Sequence, residues 1–196
     1  VTNPEGQNVS VSFNSSEQLV NISVSFSGAE SATLTEADFT EAGGTYTAVY
    51  EGSSDGTYNA TLDTAEDAAG NDGASGQSDE TVVDTTAPSI SAGEFTVTNP
   101  GGQNVSISFN SSEQLANISV SLSGPESATL TEADFTEDGG TYTAVYEGSS
   151  DGTYNATLDT ADDAAGNDGA TGQSDETAID TTAPTIPSGA FPATMP

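Results

Sequence analysis

The chain has 196 residues and carries 31 Asp and Glu against no Lys, Arg or His, a formal net charge of −31 at pH 7. Nothing cationic can grip a phosphate backbone or an anionic lipid surface, so nucleic acid and acidic membranes are excluded as partners. Without His, Lys or Cys, serine triads, Schiff bases and cysteine nucleophiles cannot be built, and neither a disulfide nor a Lys–Asn isopeptide bond can staple the fold. No apolar stretch approaches the roughly 20 residues of a membrane span. No signal-like segment opens the sequence, so any anchor is expected outside it.

A charge of this size swells a small domain at low ionic strength, whereas about 1 M salt shortens the screening length to about 3 Å. The composition is therefore read as that of a protein from a high-salt setting.

One unit occurs twice. Residues 1–84 and 97–180 differ at ten positions, and TTAPSI at 85–90 returns as TTAPTI at 181–186. Val11 becomes Ile107, Phe26 becomes Leu122, Val83 becomes Ile179, Glu66 becomes Asp162 and Ser75 becomes Thr171. Such exchanges keep volume and polarity, as a packed unit requires. Two small domains in tandem are expected.

Along the first copy, apolar residues alternate with Ser, Thr and Asn, the period of strands. Val9, Val11 and Phe13 alternate through NVSVSFN, and Ile22, Val24 and Phe26 through NISVSFS. A shorter strand is expected over 31–35, with Ala32 and Leu34. Tyr46, Ala48 and Tyr50 then share one side of GTYTAVYE, and Tyr58, Ala60 and Leu62 one side of GTYNATLD. Residues 79–84, with Val82 and Val83, and 89–97, with Ile90 and Phe95, make seven. Turns are expected at Ser27-Gly28, Gly43-Gly44, Asp55-Gly56 and the glycine-rich run 70–76. The pattern predicts an all-β chain of two tandem antiparallel sandwiches with aromatic cores. Tyr58 opens the sixth strand where a tyrosine corner sits in immunoglobulin domains, and Ala60 stands where antibody domains carry a Cys.

The segments TAEDAAGNDG and VVDTTAP, mirrored as TADDAAGNDG and AIDTTAP, resemble the last two strands and linker of tandem immunoglobulin-like repeats in large bacterial and archaeal surface proteins. The acidity is most similar to that of haloarchaeal members. The resemblance implies that DxAGN followed by DTTAP marks a domain end. It also implies that calcium can bind where successive domains meet, as it does in several adhesins.

The expected boundaries are 1–84, a repeat lacking its first strand; 85–180, a second repeat with its linker and first strand; and 181–196, the linker and first strand of a following repeat or a neighbouring subunit. The DTTAP linker, with two β-branched Thr and an extended Ala87 before Pro88, is expected to be stiff. Asp84 is expected to approach loops carrying Glu113, Asp159, Asp163, Asn167 and Asp168. Such oxygens suit calcium, which takes about six to eight oxygen ligands. The same motif in copy one comprises Asp63, Asp67, Asn71 and Asp72.

Val1 aligns with Val97, beyond the expected first strand, while 185–191 form a first strand without a following domain. Either the chain is part of a longer covalent array, the favoured arrangement, or the tail of one subunit completes the first domain of the next. The tail departs from the repeat at Pro187, Pro192 and Met195, and prolines suit an edge strand. Sequons at Asn8, Asn14, Asn21 and Asn59, and at Asn104, Asn110, Asn117 and Asn155, are candidate glycosylation sites. Asn8 and Asn14 flank their strand out of phase with its buried residues.

Function is expected to be structural and non-enzymatic: a repeat of an extracellular filament, stalk or surface coat. The alternatives are an adhesin or receptor-binding module, and an accessory module of a larger secreted enzyme. A carboxylate pair for glycoside hydrolysis needs a cleft, and none is identifiable. Loops that are nearly identical between copies favour structure over binding.

Overall fold

The computed structural model describes residues 1–91 and 93–187. The chain forms two compact units, Val1–Thr86 and a second from Ala87 onward. Unit 1 contains β1 (Asn8–Asn14), β2 (Leu19–Gly28), β3 (Ala32–Thr35), β4 (Thr40–Ala42), β5 (Thr45–Glu51), β6 (Gly56–Asp67) and β7 (Ser78–Val83). Unit 2 contains β8 (Thr96–Thr98), β9 (Asn104–Asn110), β10 (Asn117–Ser123), β11 (Ala128–Thr131), β12 (Thr136–Asp138), β13 (Thr141–Glu147), β14 (Gly152–Asp162) and β15 (Ser174–Ile179).

All pairings of the named strands are antiparallel. In unit 2 one sheet runs β8-β9-β13-β12 and the other β11-β10-β14-β15; unit 1 has β1-β5-β4 and β3-β2-β6-β7. This strand order is that of an immunoglobulin-like sandwich. The core follows from the alternation. Val9, Val11, Ile22, Val24, Phe26, Tyr46, Ala48 and Tyr58 are buried in unit 1, and their counterparts, from Val105 to Tyr154, in unit 2.

The corner expected at Tyr58 is present in both units. Tyr58 donates its hydroxyl to the Ser54 carbonyl at 2.8 Å, and Tyr154 donates to Ser150 at 3.0 Å. Each ring is fully buried, so the bond anchors the turn before the sixth strand to the core. A Cβ on Gly52 would lie 2.6 Å from the Tyr58 hydroxyl oxygen, and one on Gly148 would lie 2.8 Å from that of Tyr154. Glycine is what lets the corner close. A second phenol crosses the core, where Tyr46 and Tyr142 accept the N–H groups of Leu19 and Leu115 at 2.8 Å each.

Three features differ from the sequence expectation. The short strands β4 and β12, preceded by 3-10 turns at Glu36–Asp38 and Glu132–Asp134, were not anticipated. Both strands are exposed throughout, so no alternation marks them. A bulge interrupts β6 and β14: Val24 faces Leu62 while Ser23 faces Thr64, leaving Asp63 as the extra residue, with Asp159 in the same place. It switches the inward phase, so Ala65 and Ala161 turn into the core.

The third concerns 89–97, where, among the described residues, only Thr96–Thr98 forms a strand. The Glu94 N–H instead turns back to the Ser91 carbonyl at 2.9 Å. Ile90 and Phe95 are nonetheless buried in the unit 2 core, at 7% and 2% exposure. Full burial of two such side chains is worth about 1.5–3 kcal/mol each. The strand expected over 185–191 runs into residues outside the described set, as do Pro192 and Met195; Thr185, Ile186 and Pro187 form no strand.

Candidate functional site

The acidic residues singled out by sequence gather mainly on one loop of each unit, between the last two strands. In unit 2 the loop folds around Asp163, which is 4% exposed. Its Oδ1 accepts the Ala165 and Asn167 N–H groups at 2.8 and 3.0 Å, and its Oδ2 accepts the Asn167 side-chain amide at 2.8 Å. Asp168 Oδ1 receives the N–H groups of Ala161 and Ala170 at 2.9 and 2.8 Å. Burial pushes the Asp163 carboxyl up, but the bonds from Asn167, Ala165 and Gly166 outweigh it and hold the group below its ordinary value.

Unit 1 repeats the arrangement. Asp67 accepts Ala69, Asn71 and the Asn71 side chain at 2.8, 2.9 and 2.8 Å, and Asp72 accepts Ala65 and Ala74 at 2.9 Å each. The Asn71 side chain leads the bonds that depress Asp67, and the Ala65 N–H leads those that depress Asp72. These residues therefore have a role that spacing did not reveal: they build the loop's turns.

Asp63 and Asp159 occupy the bulges and are exposed, away from the loop turns. Asp84 closes unit 1 and accepts the Thr86 N–H at 3.1 Å. In unit 2, Glu113 on the β9–β10 loop and Asp163 place carboxylate oxygens within 4.8 Å of each other. The two loops share one end of the sandwich, tied by Ala116 N–H to the Asp162 carbonyl at 2.7 Å.

Two further carboxylates were missed by sequence reasoning. Asp55 accepts the hydroxyls of Thr85 at 2.8 Å and Thr86 at 2.7 Å, while Asp151 accepts those of Thr181 and Thr182 at 2.6 and 2.8 Å. The Thr86 and Thr85 hydroxyls hold Asp55 below its usual range, as Thr181 and Thr182 do Asp151. The DG turn and the TT pair were both visible as motifs; their partnership across 30 residues was not.

Glu30 and Glu126 pin the β2–β3 and β10–β11 turns to the tyrosine corner. Glu126 accepts the Tyr146 hydroxyl at 2.8 Å, the Ser149 N–H at 2.9 Å and the Ser149 hydroxyl at 2.5 Å. Glu30 makes the same set with Tyr50 and Ser53 at 2.6–2.7 Å. These bonds, from Tyr50 first at Glu30 and from Ser149 first at Glu126, hold each carboxyl at about 2, and Glu30 pushes the Tyr50 phenol up to about 12.

Among the sequons, Asn14, Asn21, Asn110, Asn117 and Asn155 are exposed and Asn8, Asn59 and Asn104 half-buried. Asn21 donates to Glu66 at 2.7 Å and Asn117 to Asp162 at 2.8 Å.

No protein-family model and no curated protein matches the chain. Solved structures with a related course include the amphioxus IgVJ-C2 molecule, at 14% identity and TM-score 0.32, covering 93% of this chain and 100% of that one. The Bacteroides ovatus glucan-utilization protein SGBP-B, in complex with a mixed-linkage heptasaccharide, has 20% identity and TM-score 0.29, over 92% of this chain and 43% of its own. A pullulanase from Anoxybacillus sp. LM18-11, complexed with maltotriose, has 8% identity and TM-score 0.30 over 80% of this chain. The chain spans only 23% of that enzyme's length. The immunoglobulin-like assignment itself rests on the strand order and the tyrosine corner.

The Glu126 network gives a pH signature. Because its carboxyl is depressed from 4.5 to about 2, its contribution is fully present above pH 4.5 and is lost as pH falls from there to about 2. Thermal melts of Glu126→Gln are expected to fall several degrees below wild type at pH 7, with the gap closing below pH 4.5. A gap that stays constant down to pH 2 would contradict the assignment.

Proposed function

We propose that the chain is a non-enzymatic structural repeat of an extracellular filament, stalk or cell-surface coat, working in high salt. The observation that carries this reading is the repeated clamp: Asp55 on Thr85 and Thr86, and Asp151 on Thr181 and Thr182. Two hydroxyl bonds in each unit fix the course of the chain where it leaves the sandwich, which is what a repeat carrying tension along its length needs.

The absence of Lys, Arg, His and Cys supports a non-enzymatic role, since only carboxylates, hydroxyls and phenols remain as catalytic groups. The same composition supports a saline setting of the haloarchaeal kind, where solvent cations screen the acidic surface. Exposed sequon asparagines such as Asn14 and Asn155 are proposed attachment points for glycans on that surface.

Calcium is proposed as a ligand of the acidic loops. The Glu113 and Asp163 oxygens, within 4.8 Å of each other, repel unless a cation lies between them, and a hard ion accepts an all-oxygen set.

Two measurements test these readings. Antibodies against the chain, used for immunogold electron microscopy of the native cells, are expected to decorate surface filaments or a coat; label confined to the cell interior would refute the proposal. Melting temperature is expected to rise between about 0.1 M and about 1 M KCl. At the lower salt it is expected to rise again with a few millimolar calcium, less so in Glu113→Gln. A calcium response unchanged in that variant would remove the cation from this loop.

A further inference from the structure

The two units differ in how one face of the sandwich is closed. In unit 2, residues 88–91 and 93–95 lie across the face, with Pro88, Ile90 and Phe95 buried. The Ser89 carbonyl accepts the Ser112 N–H at 3.1 Å, and the Ser89 N–H donates to the Ser112 hydroxyl at 2.8 Å. The Ile90 carbonyl accepts the Gln173 side-chain amide at 2.9 Å. Phe95 stacks on Phe109 with centroids 6.0 Å apart. Gly169 makes room, since a Cβ there would collide with the Pro88 carbonyl.

Unit 1 has every counterpart of this receiving surface: Ser16, Gln77, Phe13 and Gly73, with Leu62 and Ala65 beneath. There the surface is an open groove of about 660 Å³. Phe13 and Leu62 are half-buried where Phe109 and Leu158 are 1% and 0% exposed, and Gln77 is exposed where Gln173 is 5%. The groove is already set for such a segment. The Ser75 N–H holds Gln77 Oε1 at 2.8 Å, as the Thr171 N–H holds Gln173. A filler therefore has to supply only the counterparts of Pro88 to Phe95.

The chain contains such a segment. Residues 181–186, TTAPTI, repeat 85–90, TTAPSI, and Phe191 stands in sequence at the place of Phe95. Ile186 is 78% exposed, whereas Ile90 at the same repeat position is 7%. Charge points the same way: residues 181–196 contain no Asp or Glu in a chain of net charge −31, and Ala190 replaces Glu94. The only acidic side chain of the 85–96 segment is thus removed from its second copy. Pro187 replaces Ser91, whose carbonyl, which proline retains, accepts the Glu94 N–H.

We infer that the open groove of unit 1 takes residues 184–191 of a second copy of this chain, so that each copy donates its tail to the next. Donation of a segment between copies buries apolar side chains and adds hydrogen bonds to the backbone at once. Because donor and acceptor surfaces differ, the contact is heterologous and propagates head to tail. This deepens the structural reading above and rests on it for its biological use.

Sedimentation and light scattering of the 196-residue chain in about 1 M KCl, over a wide concentration range, test it. Wild type is expected to form concentration-dependent linear oligomers, and truncation after Asp180 to leave monomers. Ile186→Asp spoils the donor. Gly73→Ala spoils the acceptor while leaving unit 1 folded, because its Cβ would meet only the Ala65 carbonyl, at 3.7 Å. Each variant alone is expected to be a folded monomer by circular dichroism, and an equimolar mixture to give one-to-one dimers, with the Gly73→Ala tail in the Ile186→Asp groove. A wild type that stays monomeric, variants that assemble like wild type, or a mixture that stays monomeric would each overturn the exchange. None of these outcomes bears on the surface location, which immunogold labelling tests separately.

Discussion

The closing of a small apolar core by the segment that leads into the unit 2 sandwich is the interaction on which the rest depends. A domain of this size buries a limited core, and the charge of the chain opposes its compaction. Ile90 and Phe95 extend the unit 2 core and bring Phe109, Leu158 and Ala161 to full or nearly full burial. The unit 1 core ends at Phe13 and Leu62, both partly open. Two nearly identical sequences thus differ in packing, and the stretch that closes the second lies just before its repeat.

A second constraint is that no cationic side chain exists, so the structural carboxylates must be answered by neutral donors. They are answered by three kinds: threonine and serine hydroxyls at Asp55 and Glu30, a tyrosine phenol at Glu30, and backbone or side-chain amides at Asp67 and Asp72. Hydrogen bonds to an ionised acceptor are stronger than neutral ones, and they favour the charged form, which explains why these groups are depressed. The carboxylates therefore act as fasteners for turns and linkers, and the rest of the charge faces solvent.

The strands, the sandwich and the tyrosine corner were legible because each rests on a local signal: alternation in NVSVSFN and NISVSFS, and a Tyr at the head of the sixth strand. The exposed strand β4 carried no alternation, and the bulge at Asp63 left no mark because a single inserted residue leaves composition unchanged. At the acidic loops, the sequence singled out Asp67, Asn71 and Asp72 but not their bonding; Asp67 and Asn71 form a turn by contacts within five residues. The Asp55 and Glu30 fastenings span 20 residues or more, and no spacing rule announces such pairs. The difference in closure between the units was legible from the repeat alignment, since Ile90 and Phe95 precede the point where Val97 matches Val1.

Hydrogen exchange on a dilute chain ending at Thr182, resolved by residue, measures the closing of the core most directly, because both units then keep their Asp–Thr clamps, share one solution and differ in the leading segment. Amides of β1 and β6 are predicted to exchange at least about 100-fold faster than their partners in β9 and β14, the ratio expected for about 3 kcal/mol of missing burial. Equal protection in the two units would contradict the account.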